Sequence, residues 1–386
     1  MLAPTPFFAD RGCHVRIYEE ARLLRELGHE VLIATYHLGR DVGGIPTRRV
    51  PSVPWYRKLS AGPSWHKPYL DILLFFTAFR AARTFRPQVI HAHLHEGAFV
   101  GMFLSMLLGL PLVFDCQGSL TTEMLDHRFM TRGGIVHRVF RFLERIINSA
   151  AGHVITSSRA GADDLRQNWE LPDSRVSPVI DGVDTEVFTP RDRAEARRVL
   201  GLPAEATVAA FLGVLNSYQG VDILLESARI LKEQGHPIHF LVMGFPEEKY
   251  REKAREMGLA DLFTFTGRVD YAQAPLYLSA ADIALSPKVS LTEANGKLFN
   301  YMACALPTVC FDNPINREIL ADTGIYARHG DAADFAAKVR DLAADVSLRA
   351  DLSARVRRRA VEVHSWKARA NALLSAYEKA TASRTS

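Results

Sequence analysis

Short hydrophobic runs alternate with longer amphipathic stretches along the first half of the chain. The runs predict a very short first strand within Met1–Pro4 and buried strands at His29–Thr35, Val89–His91, Pro111–Asp115 and His153–Thr156. Between them, apolar residues recur at helical spacing, as in Val15–Leu27 and Leu70–Phe85. Buried strands separated by helices are typical of a parallel sheet that is covered on both faces.

The same alternation returns in the second half of the chain. It predicts strands at Thr207–Leu212, Ile238–Met243, Leu262–Thr266, Ile283–Ser286 and Thr308–Phe311, with helices near 221–234, 247–257, 271–281, 296–305 and 331–343. A length of 386 residues fits two domains. We therefore predict an α/β fold of two Rossmann-like, doubly wound domains, 1–187 and 188–365, joined within the Pro/Asp-rich stretch Asp181–Asp192. Residues 366–386 are predicted to form a final helix that packs back on the first domain.

Open parallel sheets bind ligands at the carboxyl ends of their strands, so we expect a ligand in a cleft between the two domains. One stretch, Ser286–Pro307, favours an anion. A strand ends at Ser286, a loop carries Glu293, Asn295 and Gly296, and a helix begins near Lys297. A helix start attracts anions, and glycine lets a ligand approach the backbone closely.

Lysine is unfavourable in the first turn of a helix, so Lys297 is better explained by a bound phosphate than by helix stability. The alternative is a solvated lysine. Glu293 has the chemistry to accept hydrogen bonds from sugar hydroxyls. Its alternative role is as a capping carboxylate at the helix start.

Several motifs together carry a family resemblance. Glu293-Ala-Asn-Gly296 followed by Met302-Ala-Cys-Ala-Leu-Pro307 is similar to the EGFG…MA-x-G-x-P signature of the retaining, GT-B-fold glycosyltransferases of family four (glycosyl transferases group 1). Further matches in family order are Gly28-His-Glu-Val31, His91-Ala-His93, Asp181-Gly-Val-Asp184 with Phe188, and Gly267-Arg-Val269 followed by Ala281-Asp282 and Ser286-Pro287.

The resemblance implies a GT-B architecture of two domains facing a cleft, and a nucleotide-diphosphate donor, a UDP- or GDP-sugar. It also implies transfer of a hexose-type sugar with retention of configuration and without a cofactor or metal. No D-x-D motif is present, which fits a metal-free transferase. The donor positions that it implies in the second domain are Gly213, Gln219, Gly267, Arg268, Glu293, Asn295, Gly296, Lys297 and Asn300.

The sequence departs from the family at the positions that clamp the donor diphosphate. Where the family has Arg and Lys after the first strand of the second domain, this chain has Val214 and Gln219. The second signature Glu, which holds the donor ribose, is replaced by Asn300 or, counted from Glu293, by Tyr301; we prefer Asn300. We therefore expect Lys297 to supply the missing charge, with Arg11 and Arg268 as weaker candidates. A lipid-linked sugar phosphate donor is the alternative.

The first domain offers a second group of candidates. The resemblance places Gly12, with Arg11 beside it, in a loop that touches donor phosphate and acceptor. Gln117 occupies the place of a histidine that contacts the transferred sugar, and His93 is a candidate to face the acceptor. We therefore take Glu293, Gln117 and His93 as the catalytic candidates. The alternative for the glycine loop is a plain strand-to-helix turn. The alternative for His93 is a structural role.

Composition narrows the cellular setting. The formal net charge is +4 and the four cysteines form no CxxC pair, which fits a reduced cytoplasmic protein. No basic run or recognised module predicts nucleic-acid binding. Aromatic and basic residues interleave within Pro54–Pro68, which favours a peripheral position on an anionic membrane, at the inner face of the plasma membrane, and a glycan or lipid-linked acceptor.

A second basic stretch is interpreted differently. Arg138, Arg141 and Arg145 share one face of a predicted helix over 134–147. We interpret this helix as packed on the sheet through its apolar side, with its basic side in water. The alternative is a second membrane interface on the acceptor side.

Two other functions remain open from the sequence. One is a sugar-nucleotide epimerase or phosphorylase of the same architecture. The other is a catalytically silent relative that binds glycan or a partner enzyme, an idea motivated by the missing Arg, Lys and Glu.

Overall fold

The computed structural model describes residues 1–9, 12–59, 64–126, 130–236, 238–289 and 295–385. The chain divides into two compact units. Unit 1 comprises Met1–Asp181 and Arg369–Ser386, and unit 2 comprises Gly182–Ala368. The boundary after Asp181 lies at the start of the predicted joint, six residues before the predicted limit of 187.

The described strands of unit 1 form one parallel sheet in the order β3-β2-β1-β4-β5-β6-β7. The strands are β1 (Leu2–Ala3), β2 (Ile33–Thr35), β3 (Thr47–Arg49), β4 (Ile90–His93), β5 (Leu112–Cys116), β6 (His153–Thr156) and β7 (Val176–Pro178). The strand order reverses between β1 and β4. The carboxyl ends of these two strands are therefore the place where this kind of sheet binds a ligand.

Helices connect these strands and cover the sheet. They are α1 (Gly12–Glu26), α2 (Lys67–Phe85), α3 (Leu94–Leu108), α4 (Leu120–Asp126), α5 (Ile135–Ala150) and α6 (Arg159–Trp169). Side chains of α2, α3, α5 and α6 share one core with the strands, including Leu74, Leu104, Ile147 and Leu165. A final helix, α15 (Trp366–Thr385), belongs to unit 1 from Arg369 onward.

Unit 2 holds a second parallel sheet, in which the described strands follow the order β10-β9-β8-β11-β12-β13. They are β8 (Val208–Leu212), β9 (His239–Met243), β10 (Phe263–Gly267), β11 (Ile283–Ser286), β12 (Thr308–Phe311) and β13 (Gly324–Ala327). The helices are α7 (Arg193–Leu200), α8 (Val221–Glu233), α9 (Glu248–Glu256), α10 (Ala274–Ser279), α11 (Lys297–Ala303), α12 (Pro314–Leu320), α13 (Ala332–Ala344) and α14 (Val346–Glu362). Here the strand order reverses between β8 and β11.

The α/β fold class with two doubly wound sheets is confirmed, whereas β3, β7 and β13 are missing from the sequence prediction. All three lie at the edges of their sheets. Edge strands are covered less completely than central ones, so they lack the continuous apolar run that identifies a buried strand. Thr47–Arg49, for example, is polar throughout.

The interpretation that the apolar side of α5 packs on the sheet was wrong. Its inner side carries Glu144, Ile147 and Asn148, which are buried, whereas Val139 and Phe142 are exposed. Glu144 accepts hydrogen bonds from the backbone N–H groups of Leu120 and Thr121. Periodicity identifies the two faces of a helix but not which face turns to water, and here the carboxylate is needed inside to hold α4.

Two loops of unit 2 pack against each other through a glycine. Gly220 has a φ of +80°, and a Cβ added there would lie 1.9 Å from the carbonyl oxygen of Pro287. Val289 also donates its backbone N–H to the carbonyl of Tyr218. These contacts bind the segment that follows β8 to the segment that follows β11.

Gly220→Ala is therefore expected to lower the free energy of unfolding by roughly 3 kcal/mol, since it combines about 1–2 kcal/mol of left-handed backbone strain with an overlap that forces the loops apart. Gly258→Ala is the matched control, because Gly258 also has a positive φ of +65° but open space around it. Urea unfolding measures both variants. Equal losses would show that the loop contact contributes nothing.

Candidate functional site

The strongest candidate site of unit 2 lies where the strand order reverses. The carboxyl end of β8 leads into Gly213 and a turn over Ser217–Gln219, and the carboxyl end of the neighbouring β11 leads into Pro287 and Lys288. The Asn216 side chain accepts the backbone N–H of Gln219 and so fixes the turn. Parallel strands bring these two loops to the same edge of the sheet.

Lys297 reaches from the first position of α11 to this edge. Its Nζ donates to Oε1 of Gln219 at 2.8 Å and lies 4.2 Å from the ring centroid of Phe211. A Cβ added to Gly213 would lie 3.0 Å from the same Nζ, so glycine leaves room for the ammonium group. Lys297 therefore contacts Gln219, one of the two altered clamp positions, and lies beside Gly213, which precedes the other, Val214.

A second lysine lies close by, and sequence reasoning missed it. The buried side chain of Lys288 has its Nζ 5.6 Å from the ring centroid of Tyr218. Burial lowers the pKa of Lys297 well below its usual value, and the charge of Lys288 lowers it further. The signal in the sequence is a lysine two residues beyond a strand end at the switch point.

No carboxylate among the described residues pairs with Lys297, and its described partners are an amide oxygen and a ring face. Since α11 has only seven residues, its dipole adds little, and the side chains carry the positive potential. A positive potential of this kind favours an anionic ligand.

Neighbouring residues hold the start of α11 in place. The buried side chain of Asn295 donates to Oγ of Ser286 at 2.9 Å and to Oδ1 of Asn316 at 2.8 Å. Both amide hydrogens are thus used inside the protein, which makes Asn295 a positioning residue instead of the predicted donor contact. Gly296 is half-buried and a Cβ added there would meet nothing within 4 Å.

The burial of the two side chains distinguishes Asn300 from Tyr301 as the candidate for the ribose contact. The side chain of Tyr301 is fully buried, and its hydroxyl accepts the backbone N–H of Leu212 and donates to the carbonyl of Leu285. Tyr301 therefore ties α11 to β8 and β11. Asn300 is half-buried and lies one turn after Lys297, so the predicted ribose contact stays with Asn300.

Two further predicted donor positions lie at the end of β10. Gly267 has a φ of +70°, and a Cβ there would lie 2.8 Å from Oε1 of Glu247. Arg268 is exposed and its guanidinium lies 5.5 Å from the ring centroid of Phe245. β10 is separated from β8 by β9, so both residues flank the lysine pair at the same edge of the sheet.

The structure says little about the remaining candidates in the loops. Glu293 and Arg11 lie outside the described residues, and their predicted roles stay predictions. Gly12 is exposed at the start of α1, and a Cβ there would meet nothing within 4 Å. The predicted cleft between the two halves also stays a prediction.

In unit 1 the candidates are organised around one buried carboxylate. Asp115, at the end of β5, accepts the single Nε–H of Arg16 as a bifurcated hydrogen bond on its two oxygens, and a second hydrogen bond from a terminal nitrogen of Arg16. It also lies 2.9 Å from Nδ1 of His93 and accepts from Nε2 of Gln117 at 2.7 Å. Burial alone would raise the pKa of Asp115, but Arg16 and His93 hold it well below its usual range.

This geometry changes the interpretation of His93 and supports that of Gln117. His93 is fully buried, and burial lowers its pKa, so it is a neutral positioning residue and does not reach an acceptor. Gln117 is only half-buried, and its amide is oriented through Asp115. An amide held through its nitrogen keeps its oxygen for a sugar hydroxyl. Arg16 was not anticipated from the sequence.

Four groups of this cluster have ligand atoms within 4.8 Å of one another, namely Glu20, His91, His93 and Asp115. They do not fit a metal centre well. Arg16 forms ion pairs with both Glu20 and Asp115, and its charge opposes a second cation. Burial also raises the pKa of Glu20 well above its usual value. We interpret the cluster as a hydrogen-bonded support for Gln117.

Comparison with known proteins assigns the family. Residues 11–182 match the model of the Glycosyl transferase 4-like domain, and residues 192–359 match that of Glycosyl transferases group 1. The chain belongs to the glycosyl transferases group 1 family. The two matched regions correspond to the sheets of units 1 and 2.

Relatives and solved structures agree with the assignment. A D-inositol 3-phosphate glycosyltransferase from Thermobispora bispora is 26% identical, over 96% of this chain and 90% of its own. A sucrose-phosphate synthase from Thermosynechococcus elongatus has a TM-score of 0.82 at 18% identity, covering 99% of this chain and 98% of that one. An Anabaena protein in complex with UDP-glucose has a TM-score of 0.77 at 16% identity, over 98% of both chains. These structures share the GT-B fold.

The two residues of α11 are expected to respond differently to substitution. Lys297→Met should leave the thermal midpoint unchanged or raise it, because it removes a half-buried charge that has no carboxylate partner among the described residues. Tyr301→Phe should lower the free energy of unfolding by about 1–3 kcal/mol, since it strands the N–H of Leu212.

Thermal unfolding followed by circular dichroism measures both variants. A midpoint for Lys297→Met that falls as far as that of Tyr301→Phe would assign Lys297 to the stability of the fold and remove it from the candidate site.

Proposed function

We propose that this glycosyltransferase moves a hexose-type sugar from a UDP- or GDP-sugar to a lipid-linked or envelope glycan acceptor, with retention and without a metal. One observation carries the donor assignment. Lys297 is placed at the switch point of unit 2, beside Lys288 and over Gly213, with no carboxylate partner among the described residues.

A nucleotide diphosphate fits this arrangement in charge and in space. Holding two lysines together away from water is unfavourable, and a ligand with adjacent negative charges relieves that repulsion. Gly213 lacks the side chain that would fill the space beside Nζ of Lys297. The family's Arg and Lys are replaced in this chain by Val214 and Gln219. Lys297 and Lys288 supply positive charge close to these positions.

The proposed chemistry follows from the same charges. In the transition state the bond between the anomeric carbon and the diphosphate breaks, and negative charge grows on the leaving group. Fixed ammonium groups stabilise that charge in a site that is already organised. The supporting comparison is the Anabaena protein, whose structure holds UDP-glucose.

Retention and metal independence are tested together on slow hydrolysis of UDP-glucose. Proton NMR in the first minutes is expected to show α-glucose at a rate that EDTA leaves unchanged. Release of β-glucose, or loss of turnover in EDTA, would contradict this part of the proposal.

The acceptor assignment is supported by the surface of unit 1. Trp55 and Trp65 are largely exposed, at 71% and 86%, in the aromatic and basic stretch. No helix in the described part of the chain is long and apolar enough to span a bilayer. We propose that the protein works at the inner face of the plasma membrane.

Donor binding is predicted to depend on the charge of Lys297. Lys297→Met should weaken the Kd for UDP-glucose or GDP-mannose, whichever binds, by about 10- to 100-fold, the effect of a hydrogen bond from a charged group. Because burial and Lys288 lower the pKa of Lys297, the free lysine loses its proton as pH rises through that lowered value. Donor affinity should therefore fall with rising pH, and binding should take up a proton.

Isothermal titration calorimetry in two buffers of different ionisation enthalpy measures both quantities. Lys338→Met, a half-buried lysine of α13 in the same unit, is the matched control and should bind like the wild type. An unchanged Kd for Lys297→Met, with no proton uptake in the wild type, would overturn the donor assignment.

A further inference from the structure

We propose that the outer face of helices α2, α3 and α5 in unit 1 docks on an anionic lipid bilayer. This deepens the proposed function by naming the surface that brings the enzyme to a lipid-linked acceptor. The biological role given to this surface rests on the proposed function, whereas the surface itself is defined by the exposure and charge of its residues.

Helix α5 presents its apolar side to solvent. Ile135, Val139, Phe142 and Ile146 follow one another at intervals of three and four residues, so they share one face. They are exposed by 82%, 49%, 64% and 38%, respectively. The opposite face carries the buried Glu144 and Asn148. A surface helix of a soluble protein has the reverse arrangement, with its apolar side inward.

The neighbouring helices extend this apolar surface. Helix α3 packs against both α2 and α5. Its outer side exposes Phe99, Phe103 and Leu107, which are spaced four residues apart, and the rings of Phe99 and Phe103 contact each other edge to face. On α2, Phe76 is 52% exposed. Exposed apolar residues on three helices that pack side by side are typical of a binding surface.

The charge at the border of this surface fits anionic headgroups. Arg138, Arg141 and Arg145 lie along one flank of α5, and the one acidic residue of that helix, Glu144, is buried. Arg138 makes no ion pair among the described residues. Arg141 lies over the ring of Trp169, and Arg145 pairs with Glu170. An apolar face bordered by arginines is typical of helices that lie in the interface of an anionic membrane.

The position of the surface suits a membrane-bound acceptor. Helix α3 begins directly after His93, at the carboxyl edge of the sheet that also carries Gln117. Lys67 at the start of α2 forms an ion pair with Glu96 at the start of α3, so both helices begin at this edge. A lipid-linked sugar held against these helices therefore lies near the oriented amide of Gln117.

A second copy of the chain fits the same surface less well. A two-fold interface would place the arginine flank of one α5 near that of the other, which brings like charges together. A bilayer containing phosphatidylglycerol supplies both the apolar layer and the opposite charge.

The test is co-sedimentation of the full-length chain with vesicles of phosphatidylcholine alone or with 30% phosphatidylglycerol, a composition on the order of that of anionic membranes. The wild type is expected to bind the anionic vesicles and to dissociate as salt is raised. Val139→Gln/Phe142→Gln should reduce the partition coefficient by at least about tenfold through lost apolar burial. Arg138→Glu should reduce it by roughly tenfold on anionic vesicles only.

Matched controls change equally exposed residues of unit 2. Val199→Gln/Val346→Gln replaces two valines that are 54% and 67% exposed, and Arg358→Glu reverses an exposed charge. Both should bind vesicles like the wild type. All variants should bind the nucleotide sugar with an unchanged Kd, which separates a failure of this surface from a failure of the donor site.

Wild-type protein that ignores anionic vesicles, or an equal loss in the control variants, would overturn the proposal. So would a dimer, seen by analytical ultracentrifugation, that Val139→Gln/Phe142→Gln dissociates, because the apolar surface would then be covered by a second copy.

Discussion

The candidate donor site depends on the contact between the backbone of Gly220 and the carbonyl oxygen of Pro287. This contact joins the loop after β8 to the loop after β11, at the point where the strand order of unit 2 reverses. The turn that carries Gln219 and the segment that carries Lys288 are thereby fixed against each other. Tyr301 adds a second tie, because its hydroxyl links α11 to β8 and β11. These contacts hold Lys297 beside Gly213.

Arg16 and Lys297, two cations that lie at least partly inside the protein, have different surroundings. Arg16 in unit 1 is surrounded by Asp115, Asp181 and Glu20, so its charge is balanced within the fold. Lys297 in unit 2 has an amide oxygen and an aromatic ring in place of a described carboxylate. A balanced cation supports structure, as Arg16 does by orienting Gln117 through Asp115. A cation that has no counter-ion among the described residues lowers stability, and the proposed donor diphosphate would relieve that cost.

The sequence predicted the central parts of the fold well because buried parallel strands are continuous apolar runs. Ile283–Ser286 and Thr308–Phe311 end at the predicted residues. Three of the four edge strands that the structure describes, β3, β7 and β13, escaped prediction because they are only partly covered. The outward apolar face of α5 escaped as well, since periodicity gives a face without its direction.

The location of the candidate site could be predicted from the sequence, but several of its residues could not. The strand end at Ser286 and the helix start at Lys297 indicated the place, and the altered Val214 and Gln219 indicated that its charge had been rebuilt. Lys288 was missed because a lysine after a strand is common, and only the three-dimensional structure brings it beside Lys297. His93 and Asn295 were given ligand roles because burial is not visible in a motif.

The most direct measurement is a crystal structure of the protein with the nucleoside diphosphate that it binds. The account predicts a phosphate oxygen within hydrogen-bond distance of Nζ of Lys297, about 2.7–2.9 Å, in the space beside Gly213, and a lengthened contact from Lys297 to Gln219. A diphosphate bound elsewhere, with Lys297 still donating to Gln219, would contradict it.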